Sequence, residues 1–102
     1  MELNQYQYEA DKTRLTTADE NYSLLGFVGE VGELYSLLAK SIRDQKELDE
    51  VMVKKELGDC LWFLSALATD FGFTLDDVAE TNLNKLQKRQ KKGTLTGSGD
   101  NR

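Results

Sequence analysis

The chain lacks proline and histidine altogether and holds a single cysteine. Without proline, nothing forbids long helices. β-branched residues are sparse while Leu, Glu, Lys and Ala are common, a helical bias. Without histidine, Ser/His and Cys/His nucleophilic catalysis and every histidine metal site are excluded. So is the Glu-x-x-His signature of di-iron bundles. Any chemistry must rest on carboxylates, lysines and arginines. Cys60 alone rules out an internal disulfide, fits a reducing compartment and, inside an apolar run, reads as packing. Long hydrophobic runs are missing too. The longest, Cys60 to Ala68 with Ser65 in it, falls far short of the ~20 residues of a membrane helix. No secretory signal is visible, so the expectation is a soluble, cytoplasmic protein with no membrane partner. An excess of basic charge is likewise absent. The balance is 13 basic to 18 acidic residues, net -5, so no nucleic-acid polymer is expected as a partner.

The 102 residues suit one domain. Apolar periodicity predicts four helices, roughly Leu3–Arg14, Asp19–Ile42, Asp49–Phe71 and Leu75–Lys91. Gly72 is a good stop, and Thr74 with Asp77 is a near capping box. Ser41–Glu50 reads as a charged connection, in part helical. The expected organisation is an all-α domain over 1–92 and a tail over 93–102. Three glycines (Gly93, Gly97 and Gly99) should leave that tail without regular structure. A chain this short buries a modest fraction of its surface, and oligomerisation would help it.

The second helix has an apolar stripe at Leu24, Phe27, Val28, Val31, Leu34, Tyr35, Leu38 and Ile42. The third has one at Val53, Leu57, Cys60, Leu61, Leu64, Leu67, Ala68 and Phe71. To one side of the first stripe lie Glu30 and Glu33, and at nearly the same offset from the second lie Glu56 and Asp59. Gly26 and Leu37 share the Glu30/Glu33 side, and Phe63 shares the other. Trp62 and Ala66 turn away from the main stripe, a second apolar surface that suits a partner subunit.

A single E-x-x-E is ordinary, because acids on helix flanks are usually solvated. Two matched pairs are another matter. Spacing of i,i+3 sets two carboxylates on one face, and pairing the helices gathers four. Four carboxylates repel unless a cation sits between them, and all-oxygen ligands suit Mg²⁺ or Mn²⁺. Gly32 and Gly58 each sit between two of the acids. Mid-helix glycine costs roughly 1 kcal/mol against alanine, so both are expected to give room to a neighbouring helix or a ligand. On the fourth helix Asn82, Lys85 and Arg89 flank the stripe one turn apart. They suit phosphate oxygens that a metal leaves free, or merely complement the helix dipole. In the second case the glycine-rich tail ending in Asp100 and Arg102 is the next place to seek a phosphate site.

E-x-x-E, 22 residues, E-x-x-D and then N-x-x-K-L-x-x-R resembles the all-α nucleoside triphosphate pyrophosphohydrolases of the MazG type. The flanking GFVGEVGEL, KKELGDCLWFL and NLNKLQKRQKKG look like short phage and bacterial members, so the likeness covers roughly residues 20 to 93. It implies a four-helix fold with the active unit completed by a dimer, often paired into tetramers. It implies Mg²⁺-dependent cleavage of a nucleoside triphosphate between the α- and β-phosphates, a house-cleaning of the nucleotide pool. On this resemblance Glu30, Glu33, Glu56 and Asp59 are the metal ligands and catalytic carboxylates. Asn82, Lys85 and Arg89 contact phosphates or sugar. Gly29 stands where many members have a second glutamate. Trp62, Phe27 or Tyr22 would offer a stacking face to the base, though all three also suit core or interface. The rival expectation is a non-catalytic helical interaction protein whose acids hold a structural cation or face solvent.

Overall fold

A computed structural model describes residues 1–101; Arg102, the last residue of the expected tail, lies outside the described residues. The chain forms four helices and, among the described residues, no strand: α1 (Leu3–Asp11), α2 (Glu20–Asp44), α3 (Glu50–Asp70) and α4 (Leu75–Lys92). The expected helices are all present. The first stops at Asp11 instead of Arg14, because the chain tightens into turns in which the Thr13 and Arg14 amides donate to the Ala10 and Asp11 carbonyls. The second runs on to Asp44, taking up the helical part of the charged connection. Residues 93–101 hold turns and bends without a helix or strand.

Caps explain the starts. Asp19 accepts from the Tyr22 amide, Asp49 from the Val51 and Met52 amides, and Thr74 from the Asp77 amide. The start of α4 has further help from α1. Gln7 Oε1 accepts from the Leu75 amide at 2.8 Å and Asn4 Oδ1 from the Asp76 amide at 3.0 Å. The first three amides of α4, which no helical carbonyl can satisfy, thus each find a partner, and α1 is fixed across that end.

The α2–α3 pair forms the body, and α1 lies against α3 and α4. Packing buries part of each expected stripe, Phe27, Val31, Leu34 and Leu38 on α2 and Val53, Cys60, Leu61, Leu67 and Ala68 on α3, and leaves the rest outside. The partly or fully buried side of α2 is Ser23, Gly26, Phe27, Glu30, Val31, Leu34, Leu37 and Leu38. On α3, Phe63, Ser65, Ala66 and Ala68 are buried and Trp62 is half-buried. Trp62 and Ala66, expected to await a partner subunit, therefore belong to the chain's own core. Much of the main stripe is left outside instead, with Leu24, Val28, Tyr35, Leu57, Leu64 and Phe71 all exposed. The reason is steric. Gly26 lets the Phe63 ring reach the α2 backbone, where a Cβ would collide with Cε1 and Cζ of the ring. That contact turns the side bearing Gly26 and Phe63, and the acids that share it, toward the helix–helix seam.

An ion pair ties the turn after α1 to the last residue of α3. Arg14 donates to both carboxylate oxygens of Asp70, at 2.8 and 3.1 Å, to Ser23 Oγ at 3.0 Å and to the Ala18 carbonyl at 2.7 Å. The Asp70 carboxyl is held below its usual range, chiefly by the hydrogen bond from Arg14 and further by Ser23.

Candidate functional site

Glu30 and Glu33 stand one turn apart on α2, and Glu56 faces them from α3. Carboxylate oxygens of these three lie within 4.8 Å of one another. Glu30 and Glu56 are half-buried and Glu33 is exposed. Asp59, one turn beyond Glu56, is exposed and borders the cluster without joining its closest group. Its charge is felt there nonetheless. Burial, then the charges of Asp59 and Glu56, a side-chain hydrogen bond with Glu56 and the charge of Glu33, push the Glu30 carboxyl above its ordinary range. The Cys60 thiol is also raised, by burial first and then by Glu30, Glu56 and Asp59, which keeps it protonated and unreactive. The Tyr6 phenol on α1 is raised by burial and by Asp59.

No lysine or arginine among the described residues comes within ion-pair distance of these four acids. Two carboxylates at this spacing repel by about 3 kcal/mol at an effective dielectric near 20, less where Glu33 reaches water. Glu56 Oε2 is buried and, with Glu30 ionised, has no hydrogen-bond donor among the described residues. A buried anionic oxygen without a donor is costly and calls for a counter-charge. All-oxygen donors, partial burial and one orphaned oxygen fit a hard divalent cation. Glu30, Glu33 and Glu56 would hold it, with Asp59 beside them.

Open clefts flank the cluster. One, of about 490 Å³, is bordered by Gly29, Gly32, Glu33, Lys40 and Glu56. A Cβ at Gly29, Gly32 or Gly58 would meet nothing within 4 Å. Gly32 and Gly58 therefore do not serve close helix approach within the chain, and the room they leave is open. Gly26 is the glycine that serves close approach. The other cleft, of about 400 Å³, is lined by Asp59, Trp62, Tyr22, Phe63, Thr13 and Leu15 among others. The Trp62 indole N–H donates to Thr13 Oγ1 at 2.8 Å, and its ring meets Phe63 edge-on at 4.9 Å. Trp62 and Tyr22 thus border a cavity shared by Asp59, the acid beside the cluster.

Asn82, Lys85 and Arg89 lie elsewhere. α2 and α4 share no contact among the described residues, and α4 touches only α1 and α3. Lys85 and Arg89 border a third cleft, of about 480 Å³, with Lys88 and Lys92. Within one chain they are not brought to the carboxylates. Their partner is Asp100: Lys85 Nζ donates to its Oδ1 at 3.0 Å and Arg89 Nη2 at 3.2 Å. Sequence reasoning missed this contact and the Arg14–Asp70–Ser23 network. Nothing local marks a pair as distant as Arg14 and Asp70. For Asp100 the flanking glycines were the available signal.

Comparison with known proteins agrees with the motifs. The family described as the MazG nucleotide pyrophosphohydrolase domain matches residues 19–94. The chain is similar to the "Gene 37 protein" of Mycobacterium phage L5, 40% identical over 88 residues that span 80% of this chain and 75% of that protein. No solved structure matches the chain.

Proposed function

The chain belongs to the MazG nucleotide pyrophosphohydrolase family, and we propose that it hydrolyses a nucleoside triphosphate between the α- and β-phosphates, giving a monophosphate and pyrophosphate. Mg²⁺ is the metal this reading assigns, with Mn²⁺ able to replace it, held by Glu30, Glu33, Glu56 and Asp59. The observation that carries the reading is the orphaned Oε2 of Glu56 inside a cluster without a protein cation. When bound, such a cation lowers the pKa of water and polarises a phosphate. One of the four carboxylates takes the proton from that water. Trp62 and Tyr22 present apolar faces for a base beside Asp59. Lys85 and Arg89 take the leaving pyrophosphate, with Asn82 one turn before Lys85.

The last assignment needs a second copy of the chain, since α4 does not reach α2 within one chain. The exposed stripe of Leu24, Val28 and Tyr35 on α2 and Leu57 and Leu64 on α3 offers the surface that copy would cover. We place the active unit in a dimer, which can pair further into a tetramer. The role is cleansing of the cytoplasmic nucleotide pool. Among the described residues no helix is long and apolar enough to cross a membrane.

A panel of canonical and damaged triphosphates with Mg²⁺, read by pyrophosphate release, tests the reading. Release from at least one of them that stops when Mg²⁺ is chelated is the expected result. A panel without any release would favour the non-catalytic alternative, in which the acids hold a structural cation.

A further inference from the structure

The last two turns of α4, Lys85–Lys92, carry five basic residues and no acid. The chain then reverses. Gly93 takes a left-handed φ of 68°, and the Gly93 and Thr94 amides donate back to Gln90 and Arg89 carbonyls at 3.3 and 2.8 Å. A further turn, in which the Gly97 amide donates to the Thr94 carbonyl, and a positive φ of 84° at Gly99 bring the strand of chain over α4. Asp100 lands on Lys85 and Arg89. Arg89 Nη2 also donates to the Gly99 carbonyl at 3.3 Å and the Asp100 carbonyl at 3.1 Å.

This arrangement leaves Arg89 incompletely satisfied. Its side chain belongs to a residue only 5% exposed, yet Nε has no acceptor among the described residues. Among the described residues its acceptors gather on Nη2. A guanidinium matches a planar fork of two oxygens, and a phosphate supplies oxygens enough to take Nε, Nη2 and the Lys85 ammonium together. One carboxylate oxygen of Asp100 cannot. Asp100 is itself 83% exposed, so its two ion pairs are worth little each and are easily exchanged. The cleft beside it stays open.

We propose that the C-terminal tail is a tethered anion, with Asp100 seated where a phosphate of the substrate or product would bind on α4 and displaced by it. The tail is then a built-in competitor: it neutralises Lys85 and Arg89 when no nucleotide is present and weakens retention of pyrophosphate. This rests on the reading of Lys85 and Arg89 as phosphate ligands.

Calorimetric titration of the full chain with inorganic pyrophosphate, without divalent metal, tests the strap apart from the carboxylate cluster. Asp100→Asn should bind pyrophosphate roughly threefold to tenfold more tightly than the native chain, the span expected when one or two exposed ion pairs no longer compete. Asp100→Glu, which keeps the charge, should stay near native affinity. Equal or weaker binding by Asp100→Asn overturns the strap. Lys85→Gln in the Asp100→Asn background separates the strap from the reading beneath it. Weakened binding there, with no gain from Asp100→Asn itself, leaves the phosphate seat and removes only the strap. Unchanged binding on Lys85→Gln overturns both.

Discussion

Along the α2–α3 seam lie Glu30, Glu56 and Gly26, while the opposite side of the same helices shows Leu24, Val28, Tyr35, Leu57 and Leu64 to solvent. The inner side holds charge without a partner, and the outer side holds hydrocarbon without a cover. Hydrophobic burial alone would sort these residues the other way. The close Gly26–Phe63 contact sets the inner side; the proposed function assigns its acids to a cation and the outer side to a second copy of the chain. A second contrast lies within the charged residues. Asp70 accepts two hydrogen bonds from Arg14, whereas Glu56 Oε2 meets no donor among the described residues. A paired carboxylate holds the fold together; an unpaired one strains it.

That contrast is broken most forcefully at Asp70. Asp70→Asn should destabilise the chain by about 2–4 kcal/mol at neutral pH, because it strands a mostly buried guanidinium. Chemical denaturation measures it. The sign follows from the lowered Asp70 carboxyl. Its stabilisation is present above the ordinary carboxylate range and is lost as pH falls through the depressed folded value, so native and variant should converge in acid.

Next in size is the seam itself. Gly26→Ala drives a Cβ into the Phe63 ring and should cost about 1–3 kcal/mol in thermal or denaturant unfolding. The outer side is tested by Val28→Lys. Velocity sedimentation should show self-association weakened by about tenfold or more, with the helical signal unchanged. A variant that associates like the native chain would place the subunit contact elsewhere. The smallest effect is expected at Gly32. With nothing within 4 Å of a new Cβ, Gly32→Ala should stabilise the folded chain by up to about 1 kcal/mol through helix propensity. Any loss of activity there would then report on the open cleft.

The helices were legible because their signals are local. Asp19, Asp49 and Thr74 mark starts by their side-chain chemistry, and the structure uses each as a cap. Of the four acids expected to gather, Glu30, Glu33 and Glu56 do so, while Asp59 stays at the border, because i,i+3 spacing sets which acids share a helix face but not how far along the facing helix they meet. The inward face was not legible. Periodicity reports that Leu24, Val28 and Leu57 share sides of their helices, but not whether this chain or another covers them. The direction of α4 was equally hidden, because Gln7 and Asn4 of α1 set it across the whole length of the sequence. The Asp100 contact depended on turns at Gly93 and Gly99 whose φ values composition does not state.

In the proposed function the unpaired inner carboxylates form one seat for a divalent cation. Calorimetric titration of Mg²⁺ into the native chain and Glu56→Gln, without nucleotide, tests it most directly. The substitution keeps shape and removes the charge of the orphaned oxygen. The native chain should bind Mg²⁺ and the variant should lose at least about tenfold in affinity. The variant should also stay folded without metal, because like-charge repulsion falls. Equal Mg²⁺ affinity in the two proteins would contradict the account.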